Sequence, residues 1–159
     1  MATIEEYLTG LPFFAGLEPY AIAVLAGCAV NTRFDEGARL FHEGEHADRF
    51  YVIRRGRVAL EVHAPEDGAG AVVIDTLDEG DVVGWAWLVP PYRWAFDARA
   101  AVPTSAIAFD AACLRAKCAA DPALGYALMQ RVSQSMYQRL QGARIRLLDL
   151  YGEPRARPR

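Results

Sequence analysis

Between Val30 and Phe109 apolar and polar residues alternate in short runs, and a turn signal closes most of them. The runs are Val30 to Phe34, Arg39 to Phe41, Arg49 to Arg54, Arg57 to His63, Ala71 to Leu77, Asp81 to Val83, Arg93 to Val102 and Thr104 to Phe109. Between them stand Asp35-Glu36-Gly37, Glu43-Gly44-Glu45, Arg55-Gly56, Pro65-Glu66-Asp67-Gly68 and Asp78-Glu79-Gly80. Side chains on a strand alternate between its two faces, so each run predicts a half-buried strand. Many short strands joined by tight turns must roll or close to hide their edges. The expected fold is mainly β with flanking helices: a double-stranded β-helix, or jelly roll of the cupin-like kind, with Glu66 to Gly70 as a polar hairpin tip.

The flanks follow a different period. Ile4 to Leu8 predicts a short helix, Leu11-Pro12-Phe13-Phe14 an apolar anchor, and Glu18-Pro19 a second helix that stops at Gly27. After the strands, Asp110 suits an N-cap for a helix carrying Leu114. Pro122, favoured in a first turn, opens a long helix to about Tyr151, where Gly152 and Pro154 end it. At 1.5 Å per residue it spans about 45 Å. Leu124, Leu128, Val132, Met136, Leu140, Ala143, Leu147 and Leu150 recur along it every three or four positions, a stripe that must pack on something. The chain divides into N-terminal helices (1–28), a β-roll (29–110), C-terminal helices (111–152) and a tail (153–159). The stripe predicts a homodimer through 122–151, or a helix folded back on its own barrel.

The stretch Gly80 to Ala100, GDVVGWAWLVPPYRWAFDARA, carries the chemistry. It reads as a turn and short strand, a break at Gly84, one helical turn, the Pro90-Pro91 loop and another strand. A glycine followed by a helical turn leaves backbone N–H groups free to face an anion. Arg93 adds a guanidinium fork for phosphate or carboxylate, unless it pairs with Asp97 or Asp81 instead. Trp85, Trp87 and Trp94 supply bulky walls, either to stack on a planar ligand or as plain core. Alternation after Arg93 places Ala95 and Asp97 on one side and Trp94, Phe96 and Ala98 on the other. The candidate ligand-binding residues are Gly84, Trp85, Ala86, Arg93, Trp94 and Ala95.

Other chemistries fit less well. A chain of 159 residues suffices for one domain with a full core. A net charge of −3 lacks the basic balance of a dedicated nucleic-acid binder. No apolar run reaches the length of a membrane span and MATIEEYLTG has no leader pattern, so a cytoplasmic location is expected. Cys28, Cys113 and Cys118 are an odd count, and buried, inert thiols are expected rather than a disulfide framework or an iron–sulfur site. His42, His46 and His63 with Glu43 and Glu45 have the residue types of a metal site, but the 42–46 run crosses a predicted turn, so no metal is expected. No nucleophile elbow, P-loop or kinase signature is present, which argues against an enzyme. Arg155, Arg157 and Arg159 read as a solvated tail.

The run Phe34 to Val58, FDEGARLFHEGEHADRFYVIRRGRV, resembles the cyclic nucleotide-binding domain of the bacterial catabolite-activator and oxygen-sensor regulator superfamily. The matching positions are Phe34, Gly37, Leu40-Phe41, Gly44, Asp48, Phe50-Tyr51, Ile53, Gly56 and Val58, and Gly80 to Gly84 is similar to the start of that family's phosphate-binding cassette, which the resemblance extends over 80–96. The resemblance covers about Phe13 to Tyr151 and implies a jelly roll, a cyclic nucleotide or other small anion as ligand, and dimerisation through the long helix. It also implies specific roles. Arg93 matches the family's phosphate-pairing arginine. Trp85 stands where the family usually has a ribose-binding glutamate, and Trp94 where it has a small residue. Loss of a charged hydrogen bond costs about 1.5–3 kcal/mol, roughly ten- to a hundredfold in affinity. A tryptophan beside the arginine puts about 150–250 Å² of ring into the ligand's space. The chain carries no recognition helix after the long helix, so direct operator binding of the family's usual kind is not expected. The reading is a non-catalytic sensory or regulatory module with a degenerate cassette, signalling through its C-terminal helix. The alternatives are a pseudo-receptor with a filled pocket that serves an unidentified protein partner, and, more distantly, a cupin-type metalloenzyme.

Overall fold

The computed structural model of the protein describes residues 2–63 and 70–151. Helix α1 (Ile4–Thr9) starts on a reciprocal cap, Thr3 accepting from the Glu6 amide while the Glu6 carboxylate accepts from Thr3 N–H. A 3-10 turn (Pro12–Phe14) and α2 (Pro19–Ala26) follow, with Gly27 ending α2. The β-roll comprises β1 (Ala29–Phe34), β2 (Arg39–Phe41), β3 (Arg49–Arg55), β4 (Val58–His63), β5 (Ala71–Leu77), β6 (Val82–Val83), β7 (Asp97–Ala100) and β8 (Thr104–Asp110). They form two four-stranded antiparallel sheets, in the orders β1-β8-β3-β6 and β2-β7-β4-β5. The chain passes repeatedly from one sheet to the other, as a jelly roll requires. Val52, Ile53, Val58, Leu60, Ala98, Ala100 and Ile107 are buried in one continuous apolar core.

Helix α3 (Ala111–Ala120) opens on Asp110, whose carboxylate accepts from the Cys113 amide at 2.8 Å. Helix α4 (Pro122–Tyr151) is 30 residues long and begins with the expected proline. Only Leu124, Leu128 and Val132 of its apolar stripe are buried, against the chain's own α3 and core. Met136, Leu140, Leu147 and Leu150 are 41%, 50%, 53% and 72% exposed, so among the described residues the distal half of the stripe has no partner. Polar contacts hold α4 beside the roll: Arg131 donates to the Ala15 carbonyl, and Arg139 pairs with Asp75 at 2.7 Å and Asp81 at 3.7 Å.

Two expectations need correction. Cys28 and Cys113 are not inert thiols: they form a disulfide across 85 residues of sequence, joining the start of β1 to the first turn of α3. The local pattern held no sign of it, because strand pairing brings the ends together: Asp110 N–H donates to the Cys28 carbonyl at 2.8 Å. Cys118 remains a free thiol, and burial pushes its pKa up, with Asp121 adding to the shift. The strand expected over Arg93 to Val102 is also shorter, since residues before Asp97 answer to a different neighbour described below. The Glu66 to Gly70 tip falls for the most part, and the Arg155 to Arg159 tail entirely, outside the described residues.

Candidate functional site

Val83 ends β6 and Gly84 breaks the strand with φ +86°. A 3-10 turn (Ala86–Leu88) follows, then Pro90-Pro91 and Tyr92, itself at φ 59°. Trp87 is buried and anchors the turn at the end of an aromatic stack: its ring lies 4.5 Å from Phe50, Phe50 lies 4.5 Å from Phe109, and Phe109 lies 6.3 Å from Phe14. Stacked rings of this size dominate local packing, so the turn is fixed to β3, β8 and the N-terminal 3-10 turn.

Residues 92–94 pair with the β2–β3 turn rather than with β7. Ala47 N–H donates to the Tyr92 carbonyl at 2.7 Å, Gly44 N–H to the Trp94 carbonyl at 2.8 Å, and Trp94 N–H to the Glu45 carbonyl at 3.0 Å. This geometry sets both key side chains. Arg93 donates through Nη1 to the Gly44 carbonyl at 2.9 Å, and Nη2 lies 3.3 Å from His46 Nε2, which accepts in the Nδ1–H tautomer. Arg93 therefore pairs with neither Asp97 nor Asp81. It is exposed at the rim of a cleft of about 550 Å³ lined also by Glu45, His46, Arg49, Tyr51 and Trp94.

Trp94 turns inward. Its indole is 4% exposed, stacks on Phe41 at 3.7 Å with 7° between the planes, and lies directly on Gly84. A methyl group at Gly84 would overlap the indole ring. The six candidate residues thus do not surround one cavity. Arg93 and Trp94 border the cleft, Gly84 lies beneath the Trp94 ring, Trp85 and Ala86 are half-buried on the 3-10 turn, and Ala95 faces outward. Trp85 Nε1 and Trp87 Nε1 are buried and have no hydrogen-bond partner among the described residues.

Two features had no signal in the local pattern. Arg115 of α3 donates to the Trp87 carbonyl at 2.6 Å and lays its guanidinium 4.6 Å from the centre of the Tyr92 ring. It is a direct tie between the 80–96 segment and the helical arm. Behind the β2–β3 turn, Asp97 and Glu61 are buried acids opposite each other on β7 and β4. Asp97 accepts from Arg39 at 3.0 Å and the Glu43 amide at 2.7 Å, and its Oδ2 lies 3.2 Å from His63 and 4.0 Å from His42. Glu61 accepts from Arg99 at 2.8 Å and Arg39 at 3.1 Å. Burial pushes the Asp97 carboxyl up, but the Glu43 amide, Arg39 and the two histidines outweigh it and hold it below its ordinary value. Hydrogen bonds from Arg99, opposed by burial, hold Glu61 low as well. The histidines are thus dispersed over two sites, and among the described residues no group of three or more His, Cys, Asp or Glu side chains stands ready for a metal.

The profile of the Cyclic nucleotide-binding domain family matches residues 31–121, more than half of the chain. The chain belongs to that family. A relative by sequence is the CRP-like cAMP-activated global transcriptional regulator of Mycobacterium tuberculosis (strain CDC 1551 / Oshkosh), 28% identical over 133 residues, 84% of this chain. The chain spans 58% of that regulator's length. Among solved structures, a cyclic nucleotide-binding domain from Methylobacillus flagellatus KT superposes with a TM-score of 0.77 at 20% identity, covering 92% of this chain and 82% of that one. The sensor domain of the transcriptional regulator DNR from Pseudomonas aeruginosa gives 0.66 at 21%, covering 85% and 94%. Both share the β-roll and flanking helices of this cyclic nucleotide-binding domain. Its relatives in sequence are regulators. Among the described residues no helix is long and apolar enough to cross a membrane.

Proposed function

We propose that this domain is a non-catalytic, cytoplasmic regulatory module with a degenerate cassette, occupied by its own Trp94, that signals through α4. The observation that carries this reading is the contact between Trp94 and Gly84. The resemblance puts the ligand's phosphate beside Arg93 and the small residue after it. Here a buried indole holds that space, with Phe41 stacked behind it, and Trp85 offers no acceptor for a ribose hydroxyl. Arg93 has meanwhile been recruited to the β2–β3 turn. A cyclic nucleotide would have to displace both side chains, so tight binding of cyclic AMP or cyclic GMP is not part of the reading. A smaller anion would find Arg93 at the rim of the open cleft, and its capture from the Gly44 carbonyl would loosen the 92–94 segment.

The route outward is Arg115. A shift of Trp87 or Tyr92 changes its hydrogen bond and its stacking, and α3 carries that change to α4. Ligand binding then acts by population shift, favouring one of two arm positions. The exposed distal stripe of α4 supports pairing with a second copy through 122–151. The pseudo-receptor reading draws on the same filled pocket and assigns that stripe to a different protein.

Tryptophan fluorescence tests the proposal, because Trp85, Trp87 and Trp94 report on the segment. No saturable change up to millimolar cyclic AMP or cyclic GMP is expected, whereas Trp94→Ser should bring a saturable response. A micromolar response of the native chain that disappears in Arg93→Ala would sink the degenerate-cassette reading.

A further inference from the structure

The Cys28–Cys113 bond joins the two parts of the molecule that must separate for the helical arm to move. Cys28 follows α2 and leads into β1, and it is buried. Cys113 lies in the first turn of α3, two residues before Arg115 and half-exposed. Helices α3 and α4 pack against one another, with Cys118 against Gly125 at their junction, so α3 carries α4 with it. Among the described residues the arm's other fastenings are Ala111 and Leu114 in the core, the Ala111 amide on the Asp48 carbonyl, Arg115 on the 80–96 segment, Tyr20 on Asp121, the first three stripe residues, and polar contacts of Arg131, Arg139 and Arg146.

The two sulfurs also differ as reaction partners. Cys113 is half-exposed whereas Cys28 is buried, so an incoming thiolate reaches Cys113 Sγ first and Cys28 is the sulfur that leaves. Cys118 points to the α4 side and is held as a thiol, so it does not compete for either sulfur.

We propose that Cys28–Cys113 is a reducible lock: closed, it fastens the α3–α4 arm to the start of the barrel, and opened by a dithiol reductant it frees the arm. The reductant's thiolate attacks Cys113 Sγ, the Cys28–Cys113 bond breaks, and Cys28 leaves as a thiolate that takes up a proton. The reductant's second sulfur then attacks the mixed disulfide and releases Cys113. Two electrons pass to the protein, and the reductant departs as its own disulfide. A low-molecular-weight disulfide such as oxidised glutathione closes the lock by the reverse steps. The lock acts on the arm whether or not the cleft holds a ligand.

Thiol counting and hydrogen exchange on the full chain test this. After equilibration with oxidised glutathione, maleimide should label one cysteine in unfolded, quenched protein, and after dithiothreitol all three. Amides of 111–128 should exchange about tenfold faster in the reduced protein, while β3 and β8 keep their protection. Cys28→Ser should exchange like the reduced native chain in either buffer, and Cys118→Ser should still switch. Three labelled cysteines after oxidation would overturn the proposal, as would equal exchange in the two states or a loss of protection throughout the barrel. If Cys28→Ser fails to fold, the two states of the native chain decide the matter by themselves.

Discussion

The indole of Trp94 rests on the backbone of Gly84 so closely that one added methyl group would collide with it. That contact joins the break after β6 to the residue following Arg93, and in the function proposed above it stands where a phosphate would bind. Gly84 serves twice there: its φ of +86° is open to glycine at little cost, and its missing side chain is where the ring lies.

Gly84→Ala should therefore be destabilising beyond the strain of its backbone angle, which accounts for about 1–3 kcal/mol. In a Trp94→Ser background the additional loss should vanish, leaving only the backbone cost. Trp94→Ser by itself should cost about 3–5 kcal/mol, as expected for emptying a buried aromatic site. Denaturant unfolding of the two single variants and the double variant measures the coupling directly; additive losses would mean that the two sites are independent.

Arg115→Met keeps much of the side chain's length but removes its charge and donors. A loss of about 1–3 kcal/mol is expected from the orphaned Trp87 carbonyl and the lost contact with Tyr92. A readout specific to coupling is the fluorescence of the 80–96 tryptophans: redox or ligand changes that act on α3 should no longer reach it. An unchanged response would remove Arg115 from the route.

Acid should unfold the protein through the Asp97–Glu61 cluster. Both carboxyls have folded-state values below their ordinary ones, so the folded chain binds fewer protons than the unfolded chain. Their contribution is fully present above the ordinary carboxylate range and is lost as pH falls through the lowered values. Asp97→Asn should be less stable than the native chain at neutral pH, with the gap narrowing below about pH 4. Unfolding midpoints measured from pH 3 to 7 test the sign. A gap that widens toward acid would contradict it.

Leu140→Glu and Leu147→Glu place charges on the unpartnered half of the stripe. Sedimentation should show a dimer of the native chain become a monomer with little change in the barrel's stability. Leu128→Ala, inside the arm's own packing, should instead cost about 2–5 kcal/mol. A native chain that sediments as a monomer would turn attention to a different protein as occupant of that face.

Much of the architecture was legible from neighbouring residues alone. Alternation and turn residues placed β2 and β5 at the observed Arg39–Phe41 and Ala71–Leu77, and Pro122 marked the start of α4. Asp110 capped α3 as its side chain dictates. These are consequences of backbone stereochemistry, which depends on residues adjacent in the chain. What Arg93, Trp94, Cys28 and Asp97 touch was decided elsewhere. Arg93 was read against Asp97 and Asp81 because they are near it in sequence, yet the pairing of 92–94 with the β2–β3 turn gave it the Gly44 carbonyl and His46. Cys113 met Cys28 because β1 pairs with β8, which leads straight into α3. Asp97 found Arg39 and His63 because β7 lies between β2 and β4. Periodicity states which face of a strand a residue occupies, and only the assembled sheet determines which distant residue it meets there.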